Sequence, residues 1–164
     1  MSHPDGGRSM ASDDPELQPP RSTAQRRIDT LEKLHSAVDL WVASADEEGG
    51  AYLLPLSYHW DGKALTLATP RSSRTARNLI RARWARVGLG PTRDVVIVEG
   101  PVEAIAIGAD PDLEEAHARS AGFDPREEAE EYVYLRVTPR AILAWREANE
   151  LPGRRIMRRG EWLG

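Results

Sequence analysis

The stretch from Ala51 to Gly100, AYLLPLSYHW-DG-KALTLATP-RSS-RTARNLIRARW-ARVGLG-PTRD-VVIVEG, constrains the fold more than any other. Ala51 to Trp60 reads as a long strand whose Pro55 cannot donate to a ladder, which places an edge or a bulge there. Asp61-Gly62 fits a two-residue type I′ hairpin turn and sets the register with a second strand over Lys63 to Ala68. A short polar loop follows, then a helix over 73–83. Two further strands, Ala85 to Gly90 and Val95 to Ile107, are joined by Pro91-Thr92-Arg93-Asp94. Gly100-Pro101 interrupts the last of these and reads as a bend at a barrel corner.

The flanking segments complete this pattern. Residues 1–21 hold much Gly, Pro, Ser and Asp and little that could pack, so a disordered N-terminal tail is expected there. From Ser22 or Thr23 to about Ala37 runs an amphipathic helix with Ile28, Leu31, Leu34 and Val38 inward and Arg26, Arg27, Glu32 and Lys33 outward. Val38 to Ser44 alternates as a half-buried strand and turns at 46–50. Asp110 caps a helix that has Pro111 in its first turn and ends at Gly122. A short acidic helical piece spans 124–131. Strands follow over Tyr132 to Val137 and Ala141 to Arg146, and Arg154 to Leu163 reads as a small hairpin turning at Arg159-Gly160. Six or seven strands in meander order, with two or three short helices and no regular strand–helix alternation, specify a mainly β domain over 22–164. The architecture expected is an antiparallel barrel with peripheral helices.

Charge marks a site within this framework. Between Gly62 and Arg93 stand eight basic residues and no Asp or Glu, leaving 14 basic against 26 acidic residues elsewhere in a chain of net charge -4. Ser72 or Ser73 is a good N-cap for the helix that follows Thr69-Pro70-Arg71. The N–H groups of a helix N-terminus and the positive end of its dipole favour a phosphate or carboxylate. Arg74, Arg77 and Arg81 share one face of that helix, with Ala76, Leu79, Ile80 and Trp84 on the opposite, buried one. Arginine suits planar oxygen anions. A solvated face is the alternative, because arginine outnumbers lysine throughout this chain.

Other classes of chemistry are absent. Zero cysteines leave no disulfide framework and no thiolate nucleophile. No run approaches the length of a membrane span, and the first residues lack the apolar core of a signal peptide, so a cytoplasmic location and no membrane partner are expected. Net acidity argues against nucleic acid as a partner. There is no GxSxG, P-loop or GxGxxG, and Gly88-Leu89-Gly90 precedes a proline inside a strand. His3, His35, His59 and His117 form no pair with metal-ligand spacing. His35 and His117 read as structural or exposed helix residues. His59, beside Tyr58 and Trp60 and nearest the basic loop, is the histidine with a candidate site role, and Trp60 and Trp84 flank the loop as candidate pocket walls. A protein without its own acid, base and nucleophile set can still be an enzyme when a cofactor carries the chemistry.

The order strand–DG–strand–TPRSS–RTARNL–GLGPTRDVVIVEG, followed by YLRVTPRAILAWRE, resembles the split-barrel flavoproteins related to pyridoxamine 5′-phosphate oxidase. It is most similar to small actinobacterial members that bind FMN or the deazaflavin F420. The resemblance covers about Thr23 to Leu163 and is strongest over Leu53 to Gly100. It implies a six-stranded antiparallel split barrel, a homodimer, and a flavin held in clefts at the subunit interface. The isoalloxazine edge would lie against Leu54, Leu56, Ser57 and Tyr58 of the second strand. The phosphate would fall to Thr69, Arg71, Ser72, Ser73 and Arg74, with Arg77 nearby, where capping and charge independently place an anion. One departure stands out: the family's Ser-Arg-Lys is here Ser73-Arg74-Thr75, which removes one phosphate ligand and leaves Arg71 or Arg77 to replace it. The namesake reaction is not implied, since that enzyme's substrate-binding residues have no clear match.

The function expected is therefore a flavin- or deazaflavin-dependent oxidoreductase acting on an unknown small molecule. FMN is the first cofactor to consider and F420 the alternative. The second reading is a binding or sequestering protein for FMN, F420 or another phosphorylated ligand without turnover. A nucleic-acid contact through the arginines is the weakest.

Overall fold

The computed structural model describes residues 18–164; of the tail expected over 1–21, residues 1–17 lie outside the described residues. The elements are α1 (Thr23–Ser36), β1 (Asp39–Ala45), β2 (Ala51–Trp60), β3 (Leu65–Pro70), α2 (Arg74–Ala82), β4 (Trp84–Leu89), β5 (Val95–Ala106), α3 (Pro111–Ala121), β6 (Tyr132–Val137), β7 (Ala141–Trp145), β8 (Arg155–Arg158) and β9 (Glu161–Trp162). All strand pairings are antiparallel, in the order β4-β1-β2-β3-β6-β5-β7-β8-β9. Additional β4–β5 pairing closes the first six strands on themselves, so a six-stranded barrel carries a three-stranded extension. The expected mainly β, antiparallel barrel with peripheral helices is the observed fold; the strand count of six or seven is exceeded by the small strands at the C-terminal end.

Period-two alternation fills the barrel. Leu40 and Val42 of β1, Val87 of β4, Val98 of β5 and Val133, Leu135 and Val137 of β6 point inward and are at most 2% exposed. β3 and β6 are buried on both faces, because α3 lies over their outer side. Gly100 is the corner: on one side β5 pairs with β7 through Glu99, then passes to β6 from Val102. A Cβ at Gly100 would stand 1.9 Å from the Thr138 carbonyl oxygen, so only glycine permits this approach.

α1 begins at its Ser22 cap, whose side chain accepts from Gln25 N–H. Its expected faces are inverted in part. Ile28 is 59% exposed, whereas Arg26 is buried and donates to the Gly153 carbonyl at 2.8 Å. The inward line is Arg26, Thr30 and Leu34, because the helix packs on β7 and β8 as well as closing the barrel. Arg21 just ahead of it is pinned by Glu150 at 2.7 Å and Asp29 at 2.6 Å. The hairpin turn also differs from expectation. Asp61 precedes the turn rather than occupying its centre, and its carboxylate accepts from Lys63 and Ala64 N–H while Gly62 takes the positive φ. Ile80 and Trp84, expected to be buried, are 36% and 47% exposed.

Candidate functional site

β2 positions the site by what it leaves unpaired. Ala51–Ser57 pair with β1 on one side only, and β3 joins the other side at Tyr58. Tyr58 N–H donates to the Val38 carbonyl. In an antiparallel ladder alternate residues face the partner, so Leu54, Leu56 and Tyr58 direct their backbone groups to β1. The free edge is left with the groups of Leu53 and with Pro55, which has no N–H, and it closes beyond Ser57 where β3 joins. Pro55 sits opposite Trp41 in unbroken register, so the expected edge is present and a bulge is not.

A cleft of about 300 Å³ opens along this edge. Pro55, Leu56 and Ser57 form one wall, Ala68 and Pro70 of β3 the floor, and His117 of α3 with Phe123 and Tyr132 the other side. Phe123 and Tyr132 pack with ring centroids 5.5 Å apart. Most of the lining is apolar. Ser57 Oγ donates to Asp39 Oδ1 at 2.6 Å at the mouth.

The loop into α2 follows Pro70, the last β3 residue that lines the cleft. Ser73 is the N-cap, its hydroxyl accepting from Ala76 N–H at 3.0 Å and lying 3.1 Å from the Thr69 hydroxyl. Arg77 reaches back to the Ser72 carbonyl, and Arg74 lies over the Tyr52 ring at 5.1 Å. Neither Arg74 nor Arg77 has a carboxylate within ion-pair distance among the described residues. The first two residues of the loop are engaged by carboxylates. Ser72 Oγ donates to Glu130 Oε1 at 2.8 Å, and Arg71 stands 3.7 Å from Glu131. On the other side of α2, Arg74, Arg77, Asn78 and Arg81 face Asp46, Glu47 and Glu48 across a groove of about 510 Å³.

The expected site residues are thus gathered unequally. Thr69, Arg71, Ser72, Ser73, Arg74 and Arg77 cluster at one helix start. Leu56 and Ser57 line the cleft. Leu54 is half-buried on the same strand. Tyr58 is turned into the core, its hydroxyl donating to the Leu34 carbonyl at 2.9 Å, with its pKa pushed up to about 12 by burial. His59 does not face the basic loop. It lines a separate cavity beyond α3 with Asp61 and Arg136, and its Nδ1 lies 2.7 Å from Ser120 Oγ. Trp60 is a core residue and Trp84 lies on β4; neither lines the cleft. The residue that sequence reasoning passed over is His117. Its signal was its place four residues after Leu113, on the face that covers the doubly buried β3 and β6.

The donor set fits a phosphorylated planar cofactor: an apolar cleft beside a strand edge and, next along the chain, a capped helix start bearing guanidiniums. Among the described residues no group of three or more His, Asp or Glu could hold a metal ion, and no helix is long and apolar enough to cross a membrane.

No family model and no curated protein matches the chain in sequence. Solved structures do. A heme-binding protein from Mycobacterium smegmatis superposes with TM-score 0.65 at 16% identity, covering 88% of this chain and 60% of its own. A Clostridium acetobutylicum protein of the pyridoxinephosphate oxidase family, related to general stress protein 26 of B. subtilis, gives 0.60 at 18%, with 75% and 89% covered. A structure named F420 reductase gives 0.57 at 15%, with 68% and 93% covered. The molecule has the split-barrel fold of these proteins, the fold that the sequence resemblance implies. Its specific chemistry rests on its own residues.

Proposed function

We propose that this protein is an oxidoreductase that uses FMN or F420, with the ring along the β2 edge and the phosphate at the start of α2. The observation that carries this reading is that the apolar cleft is lined as far as Pro70, the residue next to the basic loop into α2. A bound flavin or deazaflavin supplies hydride chemistry at its ring. The chain's own part is to hold and shield it. The β2 edge from Leu53 to Ser57 faces the ring, Phe123 and Tyr132 exclude water, and Arg71, Arg74 and Arg77 hold the phosphate. Neighbours named for F420 reduction and for the pyridoxinephosphate oxidase family support the cofactor class.

The assembly that fits this reading is a homodimer. Trp41 is 52% and Leu53 60% exposed, and the register Trp41↔Pro55 and Ala43↔Leu53 makes them parts of one apolar face. A sequestering protein without turnover is the second reading, favoured by the pairing of Ser72 and Arg71 with Glu130 and Glu131 at the anion loop.

Equilibrium titration with FMN, F420 and, because one neighbour is named for heme, hemin is the test, with sedimentation at micromolar concentration alongside. Micromolar or tighter binding of FMN or F420 to a dimer supports the reading. Hydride transfer by the loaded protein would then separate enzyme from store. Binding of neither cofactor overturns it.

A further inference from the structure

Between α3 and the outer face of β3 and β6 lie four polar side-chain atoms with no hydrogen-bond partner: His117 Nδ1 and Nε2, Thr66 Oγ1 and Tyr134 Oη. All three residues are at most 1% exposed. His117 meets the Tyr134 ring edge-on, with centroids 5.3 Å apart. Buried polar groups are rarely left unpaired, since each orphan costs about 1–3 kcal/mol. Two orphan nitrogens on one ring therefore call for an explanation.

His117 is the one of the three that also lines the cleft. Burial, reinforced by nearby His59, pushes its pKa down to about 4, so at neutral pH the ring is uncharged, with one N–H donor and one bare nitrogen. Most of the surrounding wall is apolar, and the carboxylate that lines it, Asp39, already accepts from the Ser57 hydroxyl. Across the cleft stands Ser57, at the end of the β2 stretch that pairs with β1 alone.

We infer that His117 hydrogen-bonds the polar edge of a flat, uncharged heteroaromatic ring seated in the cleft, opposite the Ser57 strand edge. The assignment rests on the flavin reading of the cleft and adds a ring-recognising residue to it. A side chain that serves only packing at this position would be better as Phe, which keeps the edge-on contact to Tyr134 and removes both orphan nitrogens. Retaining an imidazole at a cost in stability is the pattern of a binding residue.

The experiment uses lumiflavin, the ring without ribityl phosphate, and FMN in parallel, on the full chain labelled with ¹⁵N. The His117 ring nitrogens are assigned by their loss in His117→Phe. Both probes are expected to shift them. His117→Phe should raise Tm yet weaken lumiflavin and FMN alike, by about tenfold for one lost hydrogen bond. Arg77→Glu should weaken FMN and leave lumiflavin unchanged. If the imidazole resonances stay still when either probe is bound, and His117→Phe binds as wild type does, the inference is wrong. The flavin reading then still stands on the Arg77 dependence. If neither probe nor F420 binds, both fall. Should His117→Phe not fold, His117→Gln and the wild-type resonances decide the same question.

Discussion

The Ser72 hydroxyl donates to the Glu130 carboxylate at 2.8 Å, across the mouth of the loop that the sequence marks for an anion. With Glu131 at 3.7 Å from Arg71, two carboxylates stand beside groups proposed to bind a phosphate. Both are exposed, so each attraction is weak, but each also repels an incoming phosphate. Glu130→Gln and Glu131→Gln should therefore tighten FMN binding, by roughly fivefold each for ~1 kcal/mol of relieved repulsion. The effect should shrink as salt is raised. Titration at low and high ionic strength measures it; unchanged or weaker binding would mean the phosphate lies elsewhere.

Reversing the charge of Arg71 or Arg77 probes the same loop from the other side. Arg71→Glu and Arg77→Glu should each weaken a phosphate-bearing cofactor by about 1–3 kcal/mol, because a charge-assisted contact becomes repulsive. Neither should lower thermal stability by much, since both side chains are exposed. If both variants bind FMN and F420 as wild type does, the assignment of this loop is lost.

Local chemistry made much of the fold legible. Asp110, Pro111 and Gly122 bracket α3 as their capping roles require, and β6 falls on Tyr132–Val137 as its alternation demands. The capped start of α2 at Ser73 was legible because capping is local as well. Illegible features depended on what lay against an element. Arg26 turns inward and Ile28 outward because the Gly153 carbonyl waits for a guanidinium. His59 leaves the basic loop because α3 stands between them, offering Ser120 instead. His117 meets the cleft only once α3 has docked over β3. No sequence period encodes that docking, although LTLATP, buried at Leu65 to Thr69 on both faces, signals a covering helix.

Gly100 tests the barrel itself. Gly100→Ala would drive a methyl group into the Thr138 carbonyl, and neither partner is the end of a flexible side chain. A loss of about 3 kcal/mol or more is expected, read as a lower urea midpoint. Gly108→Ala is the control: a positive φ there costs about 1 kcal/mol, but nothing lies within 4 Å of the added methyl. If Gly100→Ala is no worse than Gly108→Ala, β5 does not turn this corner as described.

The last prediction concerns pH and the cluster that ties Arg21 to the C-terminal extension. Hydrogen bonds from the Arg21 guanidinium hold the buried Glu150 carboxyl down to about 2, against an ordinary value of 4.5, and the backbone N–H groups of Arg21 and Arg146 add to them at 2.9 and 2.8 Å. The folded pKa lies below the unfolded one. Glu150 therefore contributes stability that is fully present above pH 4.5 and lost as pH falls toward 2. The shift corresponds to about 3 kcal/mol, present in full at neutral pH. Arg21→Ala leaves Glu150 buried without its guanidinium, held only by the backbone N–H groups at positions 21 and 146, so it should destabilise the protein at pH 7 and flatten the acid limb. Urea unfolding of both proteins between pH 2 and pH 7 measures the two slopes. Parallel curves would show that Arg21 does not set the Glu150 titration.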